Sequence, residues 1–224
     1  MTGGPVPEAL VGLWRRESVE ISGAPGLPRG AFEHADVLWF QGRTRYADLR
    51  MPRPGGDPPA RAEAFGGRQS WAAPRLRFHH ELDLSGSLAD DEGALAWEGE
   101  TLLETGVWVF AGVRCAYRER WVRASLPGAD LVVREARADD GGLRGLAVRI
   151  GTQELVLIAA AGSLVAEHRI AEGGDWRLVA RLGAEADGCD RSRWACIEAG
   201  RCPDRPPGGE LARTLRYPRA IDTP

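Results

Sequence analysis

Apolar residues in this chain recur at every second position, in short runs, and almost nowhere at every third or fourth. A period of two is the spacing of a strand with one buried face. Clear runs are "LWRRESVEIS" (13–22), "DVLWFQGRTRYADLR" (36–50), "RLRFHHELDL" (75–84), "GALAWEGETLLETGVWVFAG" (93–112) and "RCAYRERWVR" (114–123). A second series reads "DLVVREARA", "LRGLAVRIG", "QELVLIAAAG", "SLVAEHRIA" and "DWRLVARLG". Pro/Gly-rich stretches at 22–30, 51–60, 124–130 and 203–209 punctuate them, as turns and loops do. Helical spacing is confined to short stretches near 5–12 and 190–200. Ten or so short strands separated by such breaks predict an all-β barrel or sandwich.

The two series resemble a loose repeat. "GLWRRESVE" aligns with "ADLVVREAR", and "VLWFQGRTRYADLR" with "GLAVRIGTQELVLIA". The Pro/Gly loop at 124–130 then divides the chain into residues 1–125, an N-terminal ligand-capable barrel, and residues 126–224, a more closed barrel-like unit. The first strand opens with Gly12-Leu13-Trp14. This resembles the Gly-x-Trp that begins the first barrel strand of lipocalins and their calycin relatives. The resemblance implies an antiparallel calycin-like (lipocalin-like) β-barrel. It also implies that Trp14 closes one barrel end under an arginine from a late strand, Arg120 or Arg123.

Absences narrow the chemistry. The chain has no lysine, so Schiff-base catalysis and a phosphate-loop lysine are excluded. No Gly-x-Ser-x-Gly elbow or dinucleotide glycine fingerprint occurs. All-arginine basic residues and the lack of asparagine fit the codon bias of a GC-rich, bacterial genome. A net charge of −3 offers no nucleic-acid footprint. No apolar run is long enough to span a bilayer, and residues 1–12 lack a secretory-signal pattern, so the expectation is a cytoplasmic protein. The four cysteines, Cys115, Cys189, Cys196 and Cys202, form no Cys-x-x-Cys pair and have no nearby histidine, which leaves them as thiols rather than metal ligands. No metal or cofactor is expected.

Strand parity then assigns faces, since residues i, i+2 and i+4 lie together. In "LRFHHELDL" the adjacent histidines point opposite ways. His80 lies inward with Leu76, Phe78, Leu82 and Leu84, while His79, Glu81 and Asp83 face outward. In the strand 114–123, Cys115, Tyr117, Glu119 and Trp121 share a face. A carboxylate there requires a cation, a donor or a ligand. Glu119, Glu98 and Tyr117 are therefore the candidate partners of His80. Read as one strand, 36–50 places Trp39, Gln41 and Arg45 on one face and Tyr46 and Asp48 on the other. A hairpin over 82–99, turning at "DEG" (91–93), brings Trp97 and Glu98 toward His80. Six of the eight tryptophans precede residue 126, offering flat contact area with a single donor each.

Three functions follow. The first is binding of a small, partly apolar molecule, aromatic or anionic, in the N-terminal barrel. Trp39, Gln41, Arg45, Tyr46, Trp97, Glu98, Tyr117 and Trp121 would form its contacts. The second is a cofactor-independent acid/base enzyme (an isomerase, cyclase or lyase of small-molecule metabolism, as in biosynthesis), with His80 moving a proton and Glu119 orienting it. The third is an interaction protein without a cavity. The partner expected is a small molecule, with neither nucleic acid nor membrane.

Overall fold

The computed structural model describes residues 4–183, apart from 25, 27–29, 55–60, 111 and 161–162. The stretch at 190–200 and Cys189, Cys196 and Cys202 lie outside the described residues. Thirteen strands are described: β1 (Gly12–Ser22), β2 (Ala35–Gln41), β3 (Arg45–Pro52), β4 (Glu63–Ala72), β5 (Arg75–Asp83), β6 (Asp91–Glu98), β7 (Thr101–Phe110), β8 (Val113–Arg123), β9 (Leu131–Arg137), β10 (Leu143–Ile150), β11 (Gln153–Ala160), β12 (Ser163–Glu172) and β13 (Asp175–Leu182). The helical stretch expected at 5–12 is a single 3-10 turn, Glu8–Leu10.

Strands β1 to β8 form an antiparallel meander that closes when β8 pairs back onto β1. Closure leaves no unpaired edge in this unit. Strands β9 to β13 form an antiparallel five-stranded sheet, in the order β13-β12-β11-β10-β9, rather than a second closed barrel. The sheet packs on the outside of the barrel. Leu13, Phe40, Ala47, Leu49, Ala64 and Leu82 of the barrel share one buried cluster with Leu146, Val148, Leu155, Leu157, Leu164 and Ala166 of the sheet. Gly66 leaves room for this packing, because an added Cβ would strike Leu157, Leu146 and the Tyr46 carbonyl.

The barrel interior is a different cluster, which includes Val6, Leu10, Trp14, Trp39, Tyr46, Phe78, Leu102 and Trp121. The tight β2–β3, β4–β5 and β6–β7 hairpins all lie at one end. The segment before β1 also reaches this end. Gly4 pairs with Trp71, the Val6 amide donates to the Arg43 carbonyl (3.1 Å), and the Trp14 indole donates to the Leu10 carbonyl (2.8 Å). The Arg123 guanidinium lies 4.3 Å from the Trp14 ring centroid and donates to the carbonyls of Val11 (2.8 Å) and Ala9 (2.5 Å). Of the two arginines expected over Trp14, Arg123 takes the place. Arg120 turns outward to Glu98 and Glu17. Gly12 is fixed by this closure, because a Cβ there would overlap the Arg123 guanidinium.

Two bulges set which residues face inward. In β1, Arg16 opposes Trp121 and Ser18 opposes Arg120, so Glu17 is the extra residue. In β5, Leu82 opposes Gly66 and His80 opposes Gly67, so Glu81 is the extra residue. A bulge inserts one residue and reverses the alternation beyond it. Beyond Glu81, Leu82 therefore faces the sheet and Asp83 turns into the barrel. This corrects the outward placement of Asp83 and the inward placement of Leu82 and Leu84.

Candidate functional site

The opposite barrel end carries the three longer connections, β1–β2, β3–β4 and β5–β6, beside the short β7–β8 connection, and a cavity of about 300 Å³ opens there. Its floor is aromatic. Trp39 packs edge-on to Trp121 (5.3 Å) and Phe78 (5.7 Å), and Tyr46 to Phe78 (4.8 Å). Tyr46, Trp39 and Trp121 are no more than 2% exposed. Tyr46, Trp39 and Trp121 line this cavity, and the Tyr46 hydroxyl and both indole N–H groups are buried with no hydrogen-bond partner within the protein. A buried polar group without a partner costs about 1–3 kcal/mol, so three such groups around one cavity mark a place where polar contacts are held open.

Charge rings the walls above the floor. Arg16, from β1, donates to Glu33 (2.7 Å) and to Glu119 on β8 (2.5 Å). Burial opposes the charge on Arg16, but Glu119 and Glu33 outweigh it and hold the guanidinium above its ordinary range. On β3, Arg50 binds Asp48 (2.9 Å), approaches Glu63 (3.7 Å) and lies over the Phe65 ring (4.9 Å). Burial raises the Asp48 carboxyl, and Arg50 only partly offsets it. Each arginine is thus shared by two carboxylates.

Glu104 on β7 is 5% exposed and sits directly across from Glu119 in the β7–β8 ladder. Like charges placed opposite one another repel. Burial, followed by the charges of Glu119 and Asp91, pushes Glu104 up to about 8, against a hydrogen bond from the Tyr117 hydroxyl (3.0 Å). Two glycines make room for this pair. A Cβ on Gly93 would overlap the Glu104 carboxyl, and one on Gly106 would overlap the Tyr117 ring.

His80 stacks on Phe65 (4.5 Å, rings 10° apart), and its Nδ1 meets the Asp83 carboxylate at 3.0 Å. Burial pushes the Asp83 carboxyl up, but bonds from His80 and Ser85 more than reverse this and hold it low. An ionised Asp83 accepts from Nδ1–H, so the Nε2 of a neutral imidazole is the acceptor. That Nε2 is buried and has no partner.

The structure therefore brings His80, Glu119, Trp39, Tyr46, Tyr117 and Trp121 to one cavity. It does not pair His80 with Glu119: Asp83 holds the imidazole and Arg16 holds Glu119. Four other candidates lie elsewhere. Gln41 is buried and donates to the Gly42 carbonyl (2.6 Å). Arg45 is buried between Glu81 and Glu135, in the seam between barrel and sheet. Trp97 is 48% exposed and rests on Trp14 (5.7 Å), and Glu98 pairs on the surface with Arg120 and Arg118.

The misplacements have local causes. Residues 42–44 form the β2–β3 turn, so 36–50 is two strands. Gln41 is opposite Tyr46, and Trp39 is opposite Asp48, so these pairs share the inner face. Asp91–Gly93 begin β6, and the β5–β6 connection lies at 84–90. Sequence reasoning missed Asp48, Arg50, Glu63, Phe65, Asp83 and Asp91 as cavity residues. Among the described residues, no group of three or more His, Cys, Asp or Glu is placed to hold a metal ion.

No protein-family model matches the chain, and no curated protein matches it in sequence. Among solved structures, it resembles the uncharacterized protein YLR301w from Saccharomyces cerevisiae. The TM-score is 0.58 at 15% identity, over 94% of this chain and 97% of that one. At that identity the likeness is one of fold.

Proposed function

We propose that this chain is a calycin-like binding protein that takes a small, partly apolar molecule into the N-terminal barrel. The lipocalin-like assignment is supported by Gly12-Leu13-Trp14, by Arg123 over Trp14, and by the eight-stranded meander. The observation that carries the binding reading is the aromatic floor with three buried, unpartnered polar groups, on Tyr46, Trp39 and Trp121. A cavity of this kind, apolar with a few polar groups held open, suits a small ligand.

Titration with the neutral fluorophore N-phenyl-1-naphthylamine should give saturable one-to-one binding, with quenching of tryptophan emission. Tyr46→Phe should raise the stability of the ligand-free protein by about 1 kcal/mol in urea melts, because it removes a hydroxyl with no partner. No saturable binding, together with a Tyr46→Phe variant less stable than the parent, would argue for a filled barrel.

A second reading is an acid/base enzyme, supported by the Asp83–His80 pair with its open Nε2. Asp83, rather than Glu119, is the residue that orients the imidazole. On this reading, incubation of a small-metabolite extract with the protein consumes a compound, and His80→Ala leaves it intact while still binding the fluorophore. Identical extracts with and without protein would dismiss turnover and leave the binding reading.

A further inference from the structure

The charges on the cavity wall specify the ligand's own charge, given the binding reading above. Six carboxylates line the cavity: Asp48, Glu63, Asp83, Asp91, Glu104 and Glu119. Among the described residues, the arginine and histidine side chains facing them are fewer and already engaged. Arg50 is shared by Asp48 and Glu63, Arg16 by Glu33 and Glu119, and His80 is held by Asp83. An anionic ligand would have to draw one of these guanidinium groups away from its carboxylates.

Among the described residues, neither Glu104 nor Asp91 is bridged to an arginine. Glu104 is faced by Glu119 and the Tyr117 hydroxyl on β8, by Asp91 on β6 and by Arg50 on β3. Acidic side chains alone would not define a site. The independent feature is the Tyr46 hydroxyl, on a residue only 1% exposed and without a partner, on the same cavity. Trp39, Phe78 and Trp121 line the same cavity, and aromatic rings attract cations over their faces.

We propose that the ligand is an organic cation, an ammonium on an aromatic or branched apolar body. Its charge lies beside Glu104 and Asp91, and its body rests on Trp39, Phe78 and Trp121. The cation supplies the positive charge this wall lacks, and on entry it drives the proton from Glu104. Binding of a permanent cation is then linked to pH: reciprocity requires that whatever favours ionised Glu104 also favours the cation. Arg16, Arg50 and His80 keep their carboxylate partners throughout.

Benzyltrimethylammonium, whose charge does not titrate, is the probe, with neopentylbenzene as its neutral isostere and phenylacetate as an anion of similar size. Tryptophan fluorescence follows all three at pH 6 and pH 9. The cation is expected to bind roughly a hundredfold tighter at pH 9 than at pH 6, because at the lower pH it must displace a proton from Glu104. It should also outbind both comparators at pH 9. Calorimetry in two buffers of different ionisation enthalpy should record proton release on cation binding, and this needs no variant. In Glu104→Gln the pH dependence should vanish.

Saturable binding of neopentylbenzene or phenylacetate at least as tight as that of the cation would overturn the cationic assignment and leave the cavity a binding site. So would cation binding with no pH dependence and no proton release. Failure of all three probes and of the neutral fluorophore would overturn both readings.

Discussion

Arg45→Met should destabilise the protein by about 3–5 kcal/mol, measured as the loss of unfolding free energy in urea. Arg45 is 8% exposed and lies between Glu81 on β5 and Glu135 on β9, with Glu135 itself 6% exposed. Removing the guanidinium leaves carboxylates in a desolvated seam, where an unmatched charge is far more costly than a missing contact. Arg137 still reaches Glu135 (2.6 Å) and Arg68 still reaches Glu81 (3.4 Å) from the seam's margins, but neither lies between the two carboxylates, so neither replaces Arg45 between the two units. Replacing the group as a whole, with Arg45→Met, Glu81→Leu and Glu135→Leu together, should recover most of the loss. Apolar residues of similar volume often substitute for a buried ion cluster without cost. A loss below about 1 kcal/mol for Arg45→Met alone would mean that the seam is wet.

The second large effect is a dependence of stability on pH. Glu104 is raised from the ordinary carboxylate range to about 8 in the folded protein. Below the unfolded value both states carry the proton, and Glu104 exerts no penalty. Between that value and about 8 the native state retains a proton that the unfolded chain has lost. Stability therefore falls as pH rises through this window, and the penalty is complete above it. Its size is on the order of 5 kcal/mol.

Glu104→Gln keeps the acceptor for the Tyr117 hydroxyl and removes the titration. The variant should match the parent near pH 4.5 and exceed it by a few kcal/mol near pH 9, the difference growing between. Parallel stability curves for the two proteins across pH 5–9 would show that Glu104 is not held neutral by the fold.

What was legible in the sequence follows regularity of backbone. Strand β8 has no glycine or bulge between Cys115 and Trp121, and parity places Tyr117, Glu119 and Trp121 correctly on the inner face. His80 is also placed correctly, because the β5 bulge comes one residue after it. Asp83, beyond the bulge, is not. A bulge is a backbone event that Glu81 does nothing to announce.

Strand β4 escaped the strand pattern because Gly66-Gly67 reads as a break. Those glycines answer to neighbours far along the chain: Gly66 to Leu157 and Leu146, Gly67 to the bulged His79–Glu81 backbone. The charge pairing was out of reach for the same reason. Arg16 with Glu119 and Arg45 with Glu135 are chosen by strands distant in sequence. The all-β class was written in local periodicity. The partners of each buried charge were not.

The wall of a barrel is one residue thick, and at Glu81 that thinness joins two different jobs. The two backbone positions separating His80 from Asp83 send Glu81 to Arg45 and Leu82 to the packed sheet. The span that fixes the imidazole against its carboxylate on the inside is therefore the span bolted to the second sheet on the outside. Deleting the extra residue, Glu81, would restore simple alternation with Leu82 still on the sheet side and Asp83 still on the barrel side, and would remove the carboxylate that ties this span to Arg45. The second sheet thus serves as a buttress for the geometry of a chamber whose lining it does not enter.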